Sequence, residues 1–151
     1  MKPLVHSYTS LRNWENCPRK YWHIHIAKDL PKEDSEAMRW GIQVHKAFEN
    51  RVNKGTPFPE TMQKYEKFVQ FGNYIVNAEV QVAIRENGKP CGFFDSDVFA
   101  RGKIDLLVNS AQGLETAVLL DVKTGKKRED PGELEIHAAL LQAQRPDLKR
   151  L

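Results

Sequence analysis

The sequence predicts a mixed α/β domain, a small mixed sheet flanked by helices, with a mainly helical N-terminal part. Three observations lead there. Apolar residues recur at helical spacing as far as about residue 77. The period then shortens to two in the segments around Glu79, Asp97 and Ala117. Helical spacing returns after Pro131. At 151 residues the chain is long enough for one sizeable core, so residues 1–151 read as a single domain: 1–77 helical, 78–151 sheet and closing helix.

The elements follow in order. Thr9 or Ser10 fits a helix N-cap, and Leu11, Trp14 and Cys17 follow at helical spacing until Pro18 breaks or restarts the helix. A second helix is predicted from Ser35 to Lys54, with Met38, Gly41, Ile42, His45, Phe48 and Val52 on one broad face. "GTPFP" is a loop, after which Met62, Tyr65, Val69 and Val76 predict a third helix from about Glu60 to Asn77.

Strands come next. Val80, Val82 and Ile84 alternate with Glu79 and Gln81, and "ENGKP" makes a turn. A second strand runs from Asp97 to Val108, with Arg101, Lys103 and Asp105 on one face and Ala100, Gly102, Ile104 and Leu106 on the other. "NSAQGLE" reads as a hairpin loop, leading into a strand from Ala117 to Lys123. Leu119, Asp121 and Lys123 share one side of it. Pro131 opens a last helix to about Gln144, with Leu134, His137, Ala138 and Leu141 on one face.

Composition sets bounds. With 40% hydrophobic and 28% charged residues, the chain is that of an ordinary globular protein rather than a disordered one. A net charge of +3 permits contact with nucleic acid without arguing for it. Two cysteines make no disulfide framework, which suggests a reducing compartment. No apolar run reaches membrane-spanning length, and "MKPLVHSYTS" lacks a signal-peptide core. The expectation is a cytoplasmic protein without a membrane partner.

Charged residues inside apolar strands carry the chemistry. Asp105 and Asp121 each stand near the end of an apolar strand, and the two strands read as antiparallel neighbours. Two nearby carboxylates repel unless a cation lies between them. Mg²⁺ suits such a pair, since it takes oxygen ligands and keeps waters for a substrate phosphate. Lys123 shares Asp121's face, where its ammonium can orient water and meet negative charge developing on a phosphate. An Asp-x-Lys tripeptide alone is common, and a surface ion pair explains most of them. Here it follows the apolar run Ala117 to Leu120 and is matched upstream by "GKIDLLV".

Five stretches together resemble the RecB/Cas4-like exonuclease branch of the PD-(D/E)xK nuclease superfamily. "YTSLRNWENCPRKYW" is similar to its serine-rich helix start and Cys-Pro motif, and "GIQVHKAFE" to its Gly-x-x-x-His helix. "RGKIDLLV" resembles the first acidic motif, "LLDVKTGKK" the Asp-Tyr-Lys-Thr-Gly stretch, and "DPGELEIHAALL" the closing helix. The resemblance spans most of the chain. It implies a restriction-endonuclease-like core and a Mg²⁺- or Mn²⁺-dependent deoxyribonuclease, an exonuclease working in DNA recombination, repair or end processing, or in defence. Single- or double-stranded DNA would be its substrate, a helicase or recombination protein its partner, and the nucleoid its place.

The resemblance also implies roles. Asp105, Asp121 and Lys123 would be catalytic, and His45, Asp105, Asp121 and the Val122 carbonyl would hold metal. By helical spacing alone His45 reads as a core histidine beside Phe48 and Val52. Glu79 stands where the family often carries an acid, although a solvated strand-end carboxylate explains it equally. Glu133 and His137 occupy the supporting positions where the family has glutamine and tyrosine, a departure that puts phosphate binding in doubt. Arg101, Lys103, Lys126, Lys127 and Arg128 would meet the DNA backbone, although a basic turn is usually just solvated. Trp14, Tyr21, Trp22 and Trp40 read chiefly as core, with base stacking as the alternative. The iron–sulfur cluster of some relatives needs four cysteines; Cys17 matches the first but none follows Cys91, so no such cluster is expected. Two other outcomes fit the same residues: a catalytically weak or inactive DNA-binding module, and a nuclease subunit that needs a partner. RNA as substrate also stays open.

Overall fold

A computed structural model describes residues 4–30, 35–110, 115–125 and 130–151. Its first helix, α1 (Tyr8–Asn16), begins earlier than Thr9 or Ser10 would set it. Ser7 is the cap: its side chain accepts the Ser10 N–H while the Ser10 hydroxyl accepts the Ser7 N–H. Pro18 starts α2 (Pro18–Tyr21), and a π-helical segment (Trp22–Ala27) continues until Lys28 turns left-handed at φ 55°. The helix α3 (Glu36–Lys54) matches its predicted span. Ser35 caps the Met38 N–H, and Gly55, at φ 71°, ends it. Among the described residues no helix is long and apolar enough to cross a membrane.

The helix expected from Glu60 to Asn77 is not formed as such. A 3₁₀ helix covers Glu60–Val69, Gly72 turns the chain at φ 57°, and strand β1 (Tyr74–Ile84) begins there. Residues 74–78 pair with 106–110 of strand β2 (Ala100–Ser110), so ladder hydrogen bonds override the helical spacing that Val76 continues. Strand β2 starts at Ala100 rather than Asp97, because Arg85 holds Asp95, Asp97 and the Pro90 carbonyl in the preceding loop. Strand β3 covers only Ala117–Leu120, and α4 covers Gly132–Gln144.

The sheet has the order β1-β2-β3 and is antiparallel throughout, which corrects the expectation of a mixed sheet. The short link between β2 and β3 permits only this pairing, since a parallel pair needs a crossover of about a dozen residues or more. Parallel pairing occurs among the described residues only as the single bridges His6–Ala100 and Thr116–Arg150.

One feature of β1 organises the molecule. The β1–β2 register keeps a constant offset from Tyr74–Ser110 to Ile84–Ala100, with a single gap where Glu79 faces Asp105. Glu79 has φ 56°, a left-handed conformation that costs a non-glycine residue about 1–2 kcal/mol. Period-two alternation breaks there. Ala78 and Leu106 pack with Val44 and Phe48 of α3, whereas Val82 and Ile104 pack with Leu140 and Leu141 of α4. Ile104 and Leu106 therefore do not share a face, contrary to simple parity. Leu107, next to Leu106, joins Val82 and Ile104 in the cluster on α4, so the parity of β2 switches between Ile104 and Leu106, where Glu79 and Asp105 face each other.

The fit of α4 is tight at Gly102. A β-carbon there would lie 2.4 Å from His137 Cδ2 and 2.6 Å from its Nε2. Gly102→Ala is therefore expected to destabilise the fold by about 1–3 kcal/mol through overpacking, read as a lowered melting temperature. An unchanged melting temperature would show that α4 can shift away.

Candidate metal centre

His45 reaches the sheet from α3. Gly41, one turn earlier on the same face, lies beside Thr124: a β-carbon there would sit 3.4 Å from Thr124 Oγ1. The Gly-x-x-x-His spacing thus lets α3 run alongside the segment that carries Lys123. The imidazole Nδ1 lies 3.3 Å from Asp105 Oδ1 and 3.4 Å from Glu79 Oε1. Among the described residues, His45, Glu79 and Asp105 form the one group of His, Cys, Asp or Glu whose ligand atoms all fall within 4.8 Å of one another. They line an open pocket of about 580 Å³, walled by Met38 and Ile42 of α3 and by Lys103.

Backbone and side-chain bonds fix this group. Asp105 Oδ2 accepts the Val122 N–H at 2.7 Å, leaving Oδ1 for His45. Lys103 Nζ lies 2.8 Å from Glu79 Oε2. Two carboxylates are thereby balanced by an ammonium and an imidazolium. Hydrogen bonding to Asp105 first, and to Glu79 second, pushes the His45 pKa up to about 10. The same contact with His45, aided by Lys103, holds the Glu79 carboxyl below its ordinary range.

Asp121 and Lys123 form an adjoining pair. Leu106–Leu120 is the last pair in the β2–β3 register, so Asp105 and Asp121 hold the next facing positions, where β3 has just ended. Asp121 is not in the group of three. Its Oδ1 lies 2.9 Å from Lys123 Nζ, which also sits 2.7 Å from Glu133 Oε2 on α4. Burial pushes the Asp121 carboxyl up, the Asp105 and Glu133 charges add to this, and Lys123 opposes it. Burial disfavours the Lys123 ammonium, but hydrogen bonds to Glu133 and Asp121 outweigh that and hold its pKa above the ordinary value.

The remaining residues fall into place around these two sets. Val122 meets the cluster through its N–H. His137 is buried against Gly102, and burial holds its imidazole below the ordinary pKa. Lys103 belongs to the cluster through Glu79. Arg101 Nη1 donates to the Phe93 carbonyl at 2.9 Å. Lys126, Lys127 and Arg128 lie outside the described residues. Glu79 is a central member of the cluster rather than a solvated strand-end carboxylate; its alignment opposite Asp105 is the signal that strand pairing supplies. Comparison with family models, with curated proteins and with solved structures gives no match.

Proposed function

We propose that this chain is a divalent-metal-dependent deoxyribonuclease with a restriction-endonuclease-like core, acting on DNA ends. One observation carries the reading: Asp105 meets His45 of α3 through one oxygen and the Val122 N–H through the other, tying a three-donor cluster to the Asp121-Val122-Lys123 segment. Two carboxylates and an imidazole suit Mn²⁺, and with added waters Mg²⁺. Bound there, such an ion would act as a Lewis acid on a phosphoryl oxygen and make its water a better nucleophile. Glu79 and Asp105 supply the negative charge that would hold it, and His45 the third donor. Lys123 keeps its charge, so its ammonium stands ready to orient water and to face negative charge on a phosphate. Lys103 and Arg101 extend positive charge along β2 for the DNA backbone.

The test is release of nucleotides from linear single- and double-stranded DNA with Mg²⁺, with Mn²⁺ and with chelator. Lys123→Ala is expected to lower the rate by about 10²–10³-fold. Absence of cleavage under every metal would remove the reading.

Glu133 favours a second reading, a DNA-binding module with little or no activity, because its carboxylate occupies the Lys123 ammonium. Glu133→Gln separates the two. A nuclease should cut as well or faster once Lys123 is freed. If neither the wild type nor Glu133→Gln cuts, yet both bind DNA, the module is the correct description.

A further inference from the structure

The loop between β1 and β2 presents an aromatic pair against Arg101 of β2. Gly102 and Ile104 pack towards α4, so Lys103 and Arg101 project from the opposite face of β2, the face on which Lys103 pairs with Glu79. Arg101 stands one two-residue repeat beyond Lys103, about 6.6 Å further from the cluster. Its guanidinium carbon lies 4.7 Å from the centre of the Phe93 ring and 5.8 Å from that of Phe94. The two rings meet edge to face, 5.1 Å apart.

Phe94 is 79% exposed, the most exposed of the large apolar residues described. A slack loop would fold such a ring down, but this loop is braced. Asp95 Oδ2 accepts the Gly92 N–H, the Gly92 carbonyl accepts the Asp95 N–H, and a β-carbon at Gly92 would lie 2.6 Å from Asp95 Oδ1. Arg85 binds Asp95, Asp97 and the Pro90 carbonyl at once, which offsets one of the two carboxylate charges. The ring is therefore held out in water by a built turn, next to a guanidinium that is itself fixed by the Phe93 carbonyl. A flat apolar face beside a fixed cation, at the end of a basic strip leading from the cluster, matches an unpaired base and its phosphate. Bases inside a duplex are already stacked on one another and offer no such face.

We propose that Phe94, with Phe93 and Arg101, is a stacking platform for unpaired nucleotides of the DNA strand that enters the metal centre. The proposal rests on the nuclease reading for the strand's destination, and makes single-stranded DNA or a single-stranded overhang the preferred substrate.

Binding is measured with chelator present, so that nothing is cut, using a labelled oligothymidylate and a blunt duplex of equal length. Phe94→Ala is expected to weaken oligothymidylate binding about tenfold while barely changing the duplex. Phe94→Trp should restore it, with indole fluorescence quenched on binding. Because the ring buries little, its truncation should leave the melting temperature unchanged, which excludes misfolding as the cause. Oligothymidylate affinity unchanged by Phe94→Ala overturns the platform and leaves the face to another kind of partner. Because metal is absent, the two readings fail separately. Stacking without cleavage under Mg²⁺ or Mn²⁺ sinks the nuclease alone, and cleavage with unaltered affinity in Phe94→Ala sinks the platform alone.

Discussion

Replacing Asp105 by asparagine is expected to lower metal-dependent DNA cleavage by about 10³-fold or more, since a ligand charge supporting several kcal/mol of transition-state stabilisation is lost. The substitution is informative because it separates charge from structure. An asparagine oxygen can still accept the Val122 N–H, which lies 2.7 Å from Asp105 Oδ2, so the segment before Lys123 should stay in place. Asp105→Ala does not preserve that bond. It leaves the amide without its partner in a half-buried position and is expected to cost a further ~1–3 kcal/mol of stability. Cleavage rates, paired with melting curves in the presence and absence of Mn²⁺, check both statements. Asp105→Asn should lose most of the shift produced by Mn²⁺, and its metal-free melting temperature should approach that of the wild type only as pH nears about 10, where His45 releases the proton that Asp105 helps to hold. An Asp105→Asn protein that cuts DNA at a rate close to wild type would show that the catalytic metal is held elsewhere.

The parts of this fold legible in the sequence are those with local causes. Ser35 and Gly55 bracket α3 because capping and a left-handed terminus are properties of a few adjacent residues. The apolar runs of β2 and β3 announce buried strands for the same reason. The misread segment, 60–77, is one where helical spacing and strand pairing compete, and only the partner strand decides. The candidate site shows the same division. Asp105, Asp121 and Lys123 stand out as charges interrupting apolar strands, and His45 through its spacing from Gly41. The central place of Glu79 was hidden, because it depends on a register that puts this residue opposite Asp105 and on a left-handed backbone that alternation does not foresee. The exposed Phe94 was equally hidden. Its exposure follows from the web around Arg85, which joins residues 85, 90, 95 and 97 in space.

The proton on His45 gives the second large effect, one that reverses sign when metal is added. In the folded, metal-free protein, bonding to Asp105 and Glu79 raises the imidazole pKa from 6.5 to about 10. A raised pKa means that the folded state holds a proton the unfolded state has released, so stability falls with pH across that window. The contribution is complete below 6.5 and gone once pH passes about 10. Melting temperature measured in chelator should therefore decline from the lower to the upper value, and His45→Gln should flatten much of that decline. Metal binding needs the same nitrogen without its proton, so each bound ion displaces one. The stabilisation produced by Mn²⁺ should accordingly grow with pH over the same window, and in His45→Gln it should be smaller and nearly independent of pH. A wild-type Mn²⁺ shift that stays constant from pH 6.5 to about 10 would mean that His45 keeps its proton and takes no part in holding the ion. In that case Glu79 and Asp105 alone would hold it, with His45 a charge-balancing neighbour.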